Sequence, residues 1–291
     1  MTSMTTSSFN STIELTTSGK LSILFIGTGS AFTKKAFQTN LVVAKGKDHV
    51  LIDCGTLCPY VLENTYNTPL SRIDNVLITH PHADHIGGVE EMALVGMYIS
   101  HHRVNMIVPK ILKKKLWNES LRGGLQFSEN GKMTFEDYFN PLYPKKILSK
   151  PFDMFEYNIG SINIKLFRTR HVATSKTSFH NSQLSYGMIF DDKILFTADT
   201  QFNPSQLQYL LGKYNIDTIF HDCDIVGYSE GVHATYKQLS TLPKEVKEKI
   251  YLCHLTDMEE NEKPDPTKDG FIGYAKPGVY YTFEKRKFLI L

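Results

Sequence analysis

Cysteine is scarce, with only Cys54, Cys58, Cys223 and Cys253 in a chain of 291 residues. A small disulfide-stapled scaffold is therefore excluded. Cys54 and Cys58 also lack the second pair that a zinc knuckle requires, and all four read as small core or near-site residues. Long apolar runs are missing as well. No stretch approaches the roughly 18 residues that a membrane span needs, so none is expected. Met1 to Leu15 is rich in Ser and Thr, without a basic start or an apolar centre. It is expected to be a tail and not a secretory signal, and the protein is expected in the cytoplasm. An excess of one charge is absent too, since 32 Lys and Arg face 30 Asp and Glu for a net charge of +2. That balance gives no basic footprint for a stable nucleic-acid partner, and Lys113-Lys114-Lys115 and Lys145-Lys146 read as solvated faces. What remains is an ordinary globular composition, 41% hydrophobic and 21% charged, in a length that suits one α/β domain.

Against that background stands Thr79-His80-Pro81-His82-Ala83-Asp84-His85-Ile86-Gly87-Gly88. Only 11 His occur in the whole chain, and three of them fall within six residues here. Imidazole and carboxylate are the donors that hold zinc and related first-row cations. The spacing suits two ions. In an extended loop His80 and His82 point the same way, while Asp84 and His85 fall where the loop enters a helix and aim at a neighbouring position. Gly87 and Gly88 keep that turn uncrowded.

The rest of the chain reads as strands in two clusters, each followed by helices. Residues 1–20 form a tail or edge strand. Leu21 to Ile26 is an apolar strand ending in Gly27-Thr28-Gly29-Ser30. Leu41 to Val43 and His49 to Ile52 pair as a hairpin, and Val76 to Ile78 leads into the histidine loop. Val89 to Ser100 has helical spacing and Val104 to Val108 returns as a strand. Residues 110–150 read as an irregular insertion that shapes a pocket rim or a subunit contact. Strands resume at Ile162 to Phe167, Leu184 to Phe190 and Lys193 to Thr197, the last two joined through Asp191-Asp192. Pro204 to Leu211 is a helix, Thr218 to Phe220 a strand, and another helix begins near Thr235. Lys249 to Cys253 is a strand, Asp257 to Gly270 a flexible connection, and Tyr280 to Phe283 and Lys287 to Leu291 close the chain as strands. This pattern implies a single domain over 21–291, with two sheets packed together and helices outside.

A dinuclear site needs about seven ligands, so three more must lie downstream. His171, Asp199 and His254 each end or follow an expected strand, where loops deliver side chains to one edge. At this point the chain resembles the metallo-β-lactamase superfamily. Leu51-Ile52-Asp53-Cys54-Gly55, the His80–His85 loop, His171, Thr197-Ala198-Asp199-Thr200 and His254 are similar to its five ordered motifs, over about 21–256. The resemblance implies an αβ/βα sandwich, two mixed β-sheets packed face to face with helices outside, and a site at their open edge. It also implies two divalent metal ions per chain, and a donor set of N and O without Cys suits zinc first and manganese or iron next. His80, His82 and His171 hold one, Asp84, His85 and His254 hold the other, and Asp199 is shared. Asp53 becomes a carboxylate behind a ligand His. Its plainer reading is a turn-forming Asp before Gly55.

Two further features resemble the ribonuclease Z-like phosphodiesterase branch. One is Leu24-Phe25-Ile26-Gly27-Thr28-Gly29-Ser30-Ala31-Phe32. The other is the series His221-Asp222-Cys223-Asp224, Gly231-Val232-His233-Ala234-Thr235 and Cys253-His254-Leu255-Thr256. Asp222 stands where tRNA-processing members carry Glu, and Ala234 where they carry Ser. Phosphodiester hydrolysis suits the set. Asp84 takes the proton of the attacking water, and His233, oriented by Asp222, stabilises phosphate charge or protonates the leaving oxygen. The alternative for His233 is a structural one, capping the helix from Thr235. Residues 110–150 lack the Gly/Pro-rich arm with which tRNA-cutting members dock their substrate, so a small nucleotide is the expected ligand. The Gly231–Leu239 and Leu242–Ile250 stretches look like the cyclic-nucleotide phosphodiesterases of this branch, which include the phage-encoded anti-Pycsar enzymes and are typically homodimers. Phe32, Phe37, Phe179, Tyr228 and Phe271 lie near expected loops, where an aromatic could stack a base. The rival readings are a tRNA 3′-end endonuclease, a thioesterase or β-lactamase, and a metal-free module that sequesters nucleotides.

Overall fold

Strand Leu21–Gly27 is buried along its whole length, which requires cover on both faces of its sheet. The computed structural model describes residues 3–6, 12–173, 182–227, 231–259 and 261–283. Its two large sheets supply that cover together with helices. The first runs, in spatial order, Ser3–Thr6, Val279–Phe283, Leu21–Gly27, Asn40–Lys45, Asp48–Ile52, Asn75–Leu77, Val104–Ile107 and Phe139–Leu142. The second runs Lys145–Leu148, Met154–Ile159, Ile162–Arg168, Tyr186–Phe190, Ile194–Phe196, Thr218–Asp222, Ile250–Cys253 and Gly273–Tyr274. Each has an antiparallel half and a parallel half, the latter joined by crossovers.

The sheets face each other across an aromatic core. Phe25 and Tyr281 of the first meet Phe220 of the second with ring centroids 4.9 and 5.0 Å apart, and Tyr251 stacks on Phe220 at 5.4 Å. Such tilted and edge-on pairs each add about 0.5–1.5 kcal/mol beyond the area they bury. Outside the first sheet, helix Cys58–Asn64 buries Val61 and Leu62, and helix Val89–Val95 buries Val89, Met92 and Ala93. Outside the second, helix Pro204–Lys213 is started by Asn203, whose side chain accepts from the Gln206 amide. It lays Leu207 and Leu210 against Leu195, Ile219 and Leu252. The expected α/β sandwich is the observed fold. Among the described residues no helix is long and apolar enough to cross a membrane.

Several local expectations are met in detail. The hairpin pairs Leu41 with Ile52 and Val43 with Val50, and Asp191 and Asp192 both adopt left-handed backbone angles, φ 51° and 59°. Others differ. The helix from Val89 is α-helical to Val95 and continues as one π-helical turn, Gly96–Ser100. The strand expected from Leu184 begins at Tyr186, because Ser182–Gln183 pairs instead with His171–Ala173. Residues 110–150 read as irregular but are built from short elements. These are a helical run 110–125 with a π-helical stretch at Trp117–Leu121, helix Phe135–Tyr138, a short hairpin at Phe127–Lys132, and one edge strand for each sheet. The helical run buries Leu112, Leu116, Leu121 and Leu125, and its π-helical stretch lengthens one step to five residues, which breaks the α-helical repeat in the sequence. The Asp257–Gly270 connection contains a 3-10 turn, Pro266–Asp269. The strand expected over 287–291 lies outside the described residues.

Both parallel halves deliver their carboxyl ends to the same edge of the sandwich. That is where open α/β sheets place their ligands.

Candidate metal centre

Asp53 follows strand Asp48–Ile52 in a left-handed turn, φ 61°. The amide of Cys54 donates to the His85 carbonyl at 2.8 Å, and that of Gly88 to the Cys54 carbonyl at 2.9 Å. These bonds pin the short helix Ala83–Ile86 beside the turn. His82, extended at φ −78° and ψ 153°, precedes that helix, and Asp84 and His85 occupy its first turn. His171 opens the short strand His171–Ala173 that follows the second sheet's Ile162–Arg168, and that sheet places Asp199 just beyond strand Ile194–Phe196 and His254 just beyond strand Ile250–Cys253. Ala198, Val172 and His254 also have positive φ, 48°, 46° and 62°. Strained backbone of this kind concentrates where a site over-determines the chain.

The donor atoms form two sets that share Asp199. In one, His82 Nδ1 lies 3.1 Å from both His80 Nε2 and His171 Nε2. Asp199 Oδ2 stands 3.6 Å from His80 Nε2 and 3.7 Å from His171 Nε2. In the other, Asp84 Oδ2 is 3.2 Å from His85 Nε2 and 3.3 Å from His254 Nε2. Asp199 Oδ1 is 3.4 Å from each of those nitrogens. Four donors about 2.0–2.1 Å from one tetrahedral cation stand roughly 3.3–3.4 Å apart, so both sets have the dimensions of a small divalent ion. His85 Nε2 is buried with no hydrogen-bond partner, an orphaned donor atom aimed into the second set. His80, His82, His171, Asp84, His85, Asp199 and His254 are thus brought together and could hold divalent metal.

The electrostatics call for positive charge there. Burial alone would raise Asp199, but the imidazoles of His254, His85 and His80 hold it well below the usual carboxylate range. Burial likewise drags His80 well below the ordinary imidazole value, and His171 to about 4. It acts the same way on His254, where Asp199, Asp222 and Asp84 reverse it and push the group up to about 10.

Behind the donors, the Nδ1 atoms of His80, His85 and His171 each meet a fixed partner. Asp53, 1% exposed, lies 2.7 Å from His85 Nδ1. It also accepts from the Thr79 amide and hydroxyl, each at 2.7 Å, and that hydroxyl lies 2.9 Å from His80 Nδ1. His171 Nδ1 donates to the Val232 carbonyl at 3.0 Å. His233 Nδ1 lies 2.8 Å from Asp222 Oδ2. Burial opposes charge on His233, and Asp222 nonetheless raises it above the ordinary value. His233 caps no helix, since Thr235 caps Tyr236–Leu239 by accepting from the Gln238 amide. Thr79, the Val232 carbonyl and the Thr200 amide, which donates to Asp222 Oδ2 at 2.9 Å, escaped the reading of the sequence. Thr79 gave a signal by preceding His80, whereas backbone groups give none.

Among the loop aromatics, Phe271 is 4% exposed and Phe37 packs partly into the core. Phe179 and Tyr228 lie outside the described residues. Phe32 is 89% exposed. Its turn is tied to the residue after His254, with the Ser30 amide 2.9 Å and the Thr33 hydroxyl 3.0 Å from the Leu255 carbonyl.

The family described as anti-Pycsar protein Apyc1 matches residues 21–281. A protein of that name from Paenibacillus xerothermodurans is 35% identical over 240 residues, 82% of this chain and 90% of its own. Another from Bacillus phage BSP38 is 35% identical over 266 residues, 89% of this chain and 97% of its own. In structure, the metallo-β-lactamase fold protein YhfI from Bacillus subtilis aligns with TM-score 0.65 and 17% identity, over 91% of this chain and 100% of that one. Human short-form tRNase Z aligns with TM-score 0.58 and 14% identity, over 91% and 100%.

Proposed function

The chain belongs to the anti-Pycsar protein Apyc1 family, and from that membership we propose that it is a phosphodiesterase with two divalent ions that opens 3′,5′-cyclic nucleotides to nucleoside monophosphates. Cyclic pyrimidine or purine mononucleotides are its substrates, and their removal counteracts a bacterial cyclic-nucleotide immune signal in the host cytoplasm. The observation that carries the reading is the pair of donor sets sharing Asp199, with His233 held against them by Asp222.

His80, His82, His171 and Asp199 would hold one ion, and Asp84, His85, His254 and Asp199 the other, zinc by preference and manganese next. Such a pair supplies Lewis acidity towards the phosphoryl oxygens and a water acidic enough to attack near neutral pH. Asp84 takes the proton of the attacking water. As the P–O bond to a ribose oxygen breaks, His233 delivers a proton to that oxygen. Its imidazole is 17% exposed on the side chain, so it faces the solvent from which substrate arrives. Asp53 and Thr79 keep His85 and His80 in the tautomers that leave Nε2 free. The protein acts as a homodimer, with a small nucleotide as its ligand and no stable nucleic-acid partner.

The test is a screen of cyclic mononucleotides, cyclic dinucleotides and a precursor tRNA against purified protein, with and without a chelator. Chelator-sensitive opening of cyclic mononucleotides is expected. Cleavage confined to the tRNA would assign it instead to 3′-end processing.

A further inference from the structure

An imidazole that offers Nε2 to a cation carries its hydrogen on Nδ1, and that hydrogen needs an acceptor. For His85 the partner is Asp53, for His80 the Thr79 hydroxyl and for His171 the Val232 carbonyl. His254 has none of these. Its Nδ1 faces Asp222 Oδ1 at 3.5 Å. That oxygen is buried and has no hydrogen-bond partner, whereas Oδ2 of the same carboxylate is engaged by His233 at 2.8 Å and by the Thr200 amide at 2.9 Å. The rings of His233 and His254 stack with centroids 4.9 Å apart and planes 27° apart, two imidazoles drawn to one carboxylate. Asp222 ends strand Thr218–Asp222 and is 1% exposed, so rigid sheet sets its place.

We infer that Asp222 is a positioning residue with two clients: Oδ2 orients His233, and Oδ1 fixes His254 in the tautomer that turns Nε2 towards the set of Asp84, His85 and Asp199. If Asp222 served His233 alone, Oδ1 would be a buried carboxylate oxygen without a partner, a costly arrangement. One side chain therefore links the cation position beside Asp84 to the proposed proton donor. The inference rests on the two-ion reading given under the proposed function.

Metal-stripped protein is titrated with Zn2+ against a chromophoric chelator. Wild type and His233→Ala are expected to bind two ions with affinities within about threefold of each other, although His233→Ala loses turnover. Asp222→Asn, whose amide presents only one acceptor oxygen, should weaken one of the two ions by about 10- to 100-fold. If Asp222→Asn binds both ions as tightly as His233→Ala, Asp222 serves His233 alone and the inference falls. If wild type itself binds only one ion, the two-ion reading fails first and visibly. A second measurement needs no substitution. In zinc-loaded wild type, histidine ring NMR should show the His254 Nδ1 proton downfield and protected from water. A His254 ring whose hydrogen sits on Nε2, or exchanges freely at Nδ1, would overturn the inference.

Discussion

Gly55 offers a sharp test, because its backbone supports the loop of Asp84. A methyl group there would lie 1.9 Å from the Asp84 carbonyl oxygen and 2.6 Å from its carbon, with the Gln38 side-chain oxygen at 2.8 Å. Ordinary contact begins near 3.4 Å, so Gly55→Ala must drive the Asp84 backbone away by about 1.5 Å. Neither side yields easily. The Gly55 amide is held by Asn40 at 2.7 Å, and the helix carrying Asp84 is bonded to Cys54. Overpacking of this kind costs about 1–3 kcal/mol, or several degrees of melting temperature at roughly 2–4 °C per kcal/mol. The functional effect should be larger, since a cation tolerates only about 0.2 Å of error in its ligand distances. Elemental analysis after dialysis should therefore find one ion fewer per chain. Gly123→Ala is the control. Nothing lies within 4 Å of its new methyl, and in a helix the change should be neutral or add up to about 1 kcal/mol. A Gly55→Ala protein with full metal content and an unchanged melting temperature would refute the claim that this glycine holds Asp84 in place.

Three further outcomes are expected. Phe32→Ala should raise KM for cyclic nucleotides by about tenfold at unchanged kcat, since stacking one base contributes roughly 1–3 kcal/mol, and Phe32→Trp should preserve KM; equal KM values in all three proteins would remove Phe32 from substrate binding. Chelation should abolish turnover and lower the melting temperature by several degrees, because ligand at about 100 times its Kd adds about 2.7 kcal/mol, and Zn2+ or Mn2+ should restore both; calorimetry showing identical melting with and without chelator would contradict this. His49 is buried and its Nε2 accepts from the Asp74 amide at 3.2 Å; burial lowers its pKa below 6.5 in the fold despite Asp74, so the unfolded chain protonates first, and this contribution is complete above about 6.5 and lost as pH falls below it. Melting curves from pH 7 to 5 should thus fall more steeply for wild type than for His49→Gln, and parallel curves would count against the assignment.

The strands that carry the site were legible because each is a short apolar run closed by one polar side chain, as in Ile250–Cys253 before His254 and Ile194–Phe196 before Asp199. The histidine loop was legible from residue density alone. The order of strands within each sheet was not, because nothing in Val279–Phe283 says that it lies between Ser3–Thr6 and Leu21–Gly27. The helix over 110–125 was obscured because its π-helical stretch, Trp117–Leu121, shifts the buried leucines Leu116 and Leu121 off the α-helical repeat. Asp53 and Asp222 could be named from their order along the chain. That each carboxylate faces two histidines, Asp53 reaching His80 through Thr79 and Asp222 meeting His233 and His254, depends on folded distances that no spacing encodes.

The place of Val279–Phe283 has a consequence for synthesis. A ribosome releases Leu21–Gly27 early, yet the partner that flanks it is made only after every strand of the second sheet. Until then the nascent chain carries a bare, largely apolar sheet border, the kind of surface that recruits foreign strands. A protein cut short just before Val279 would retain every histidine and aspartate discussed above, and should nonetheless clump.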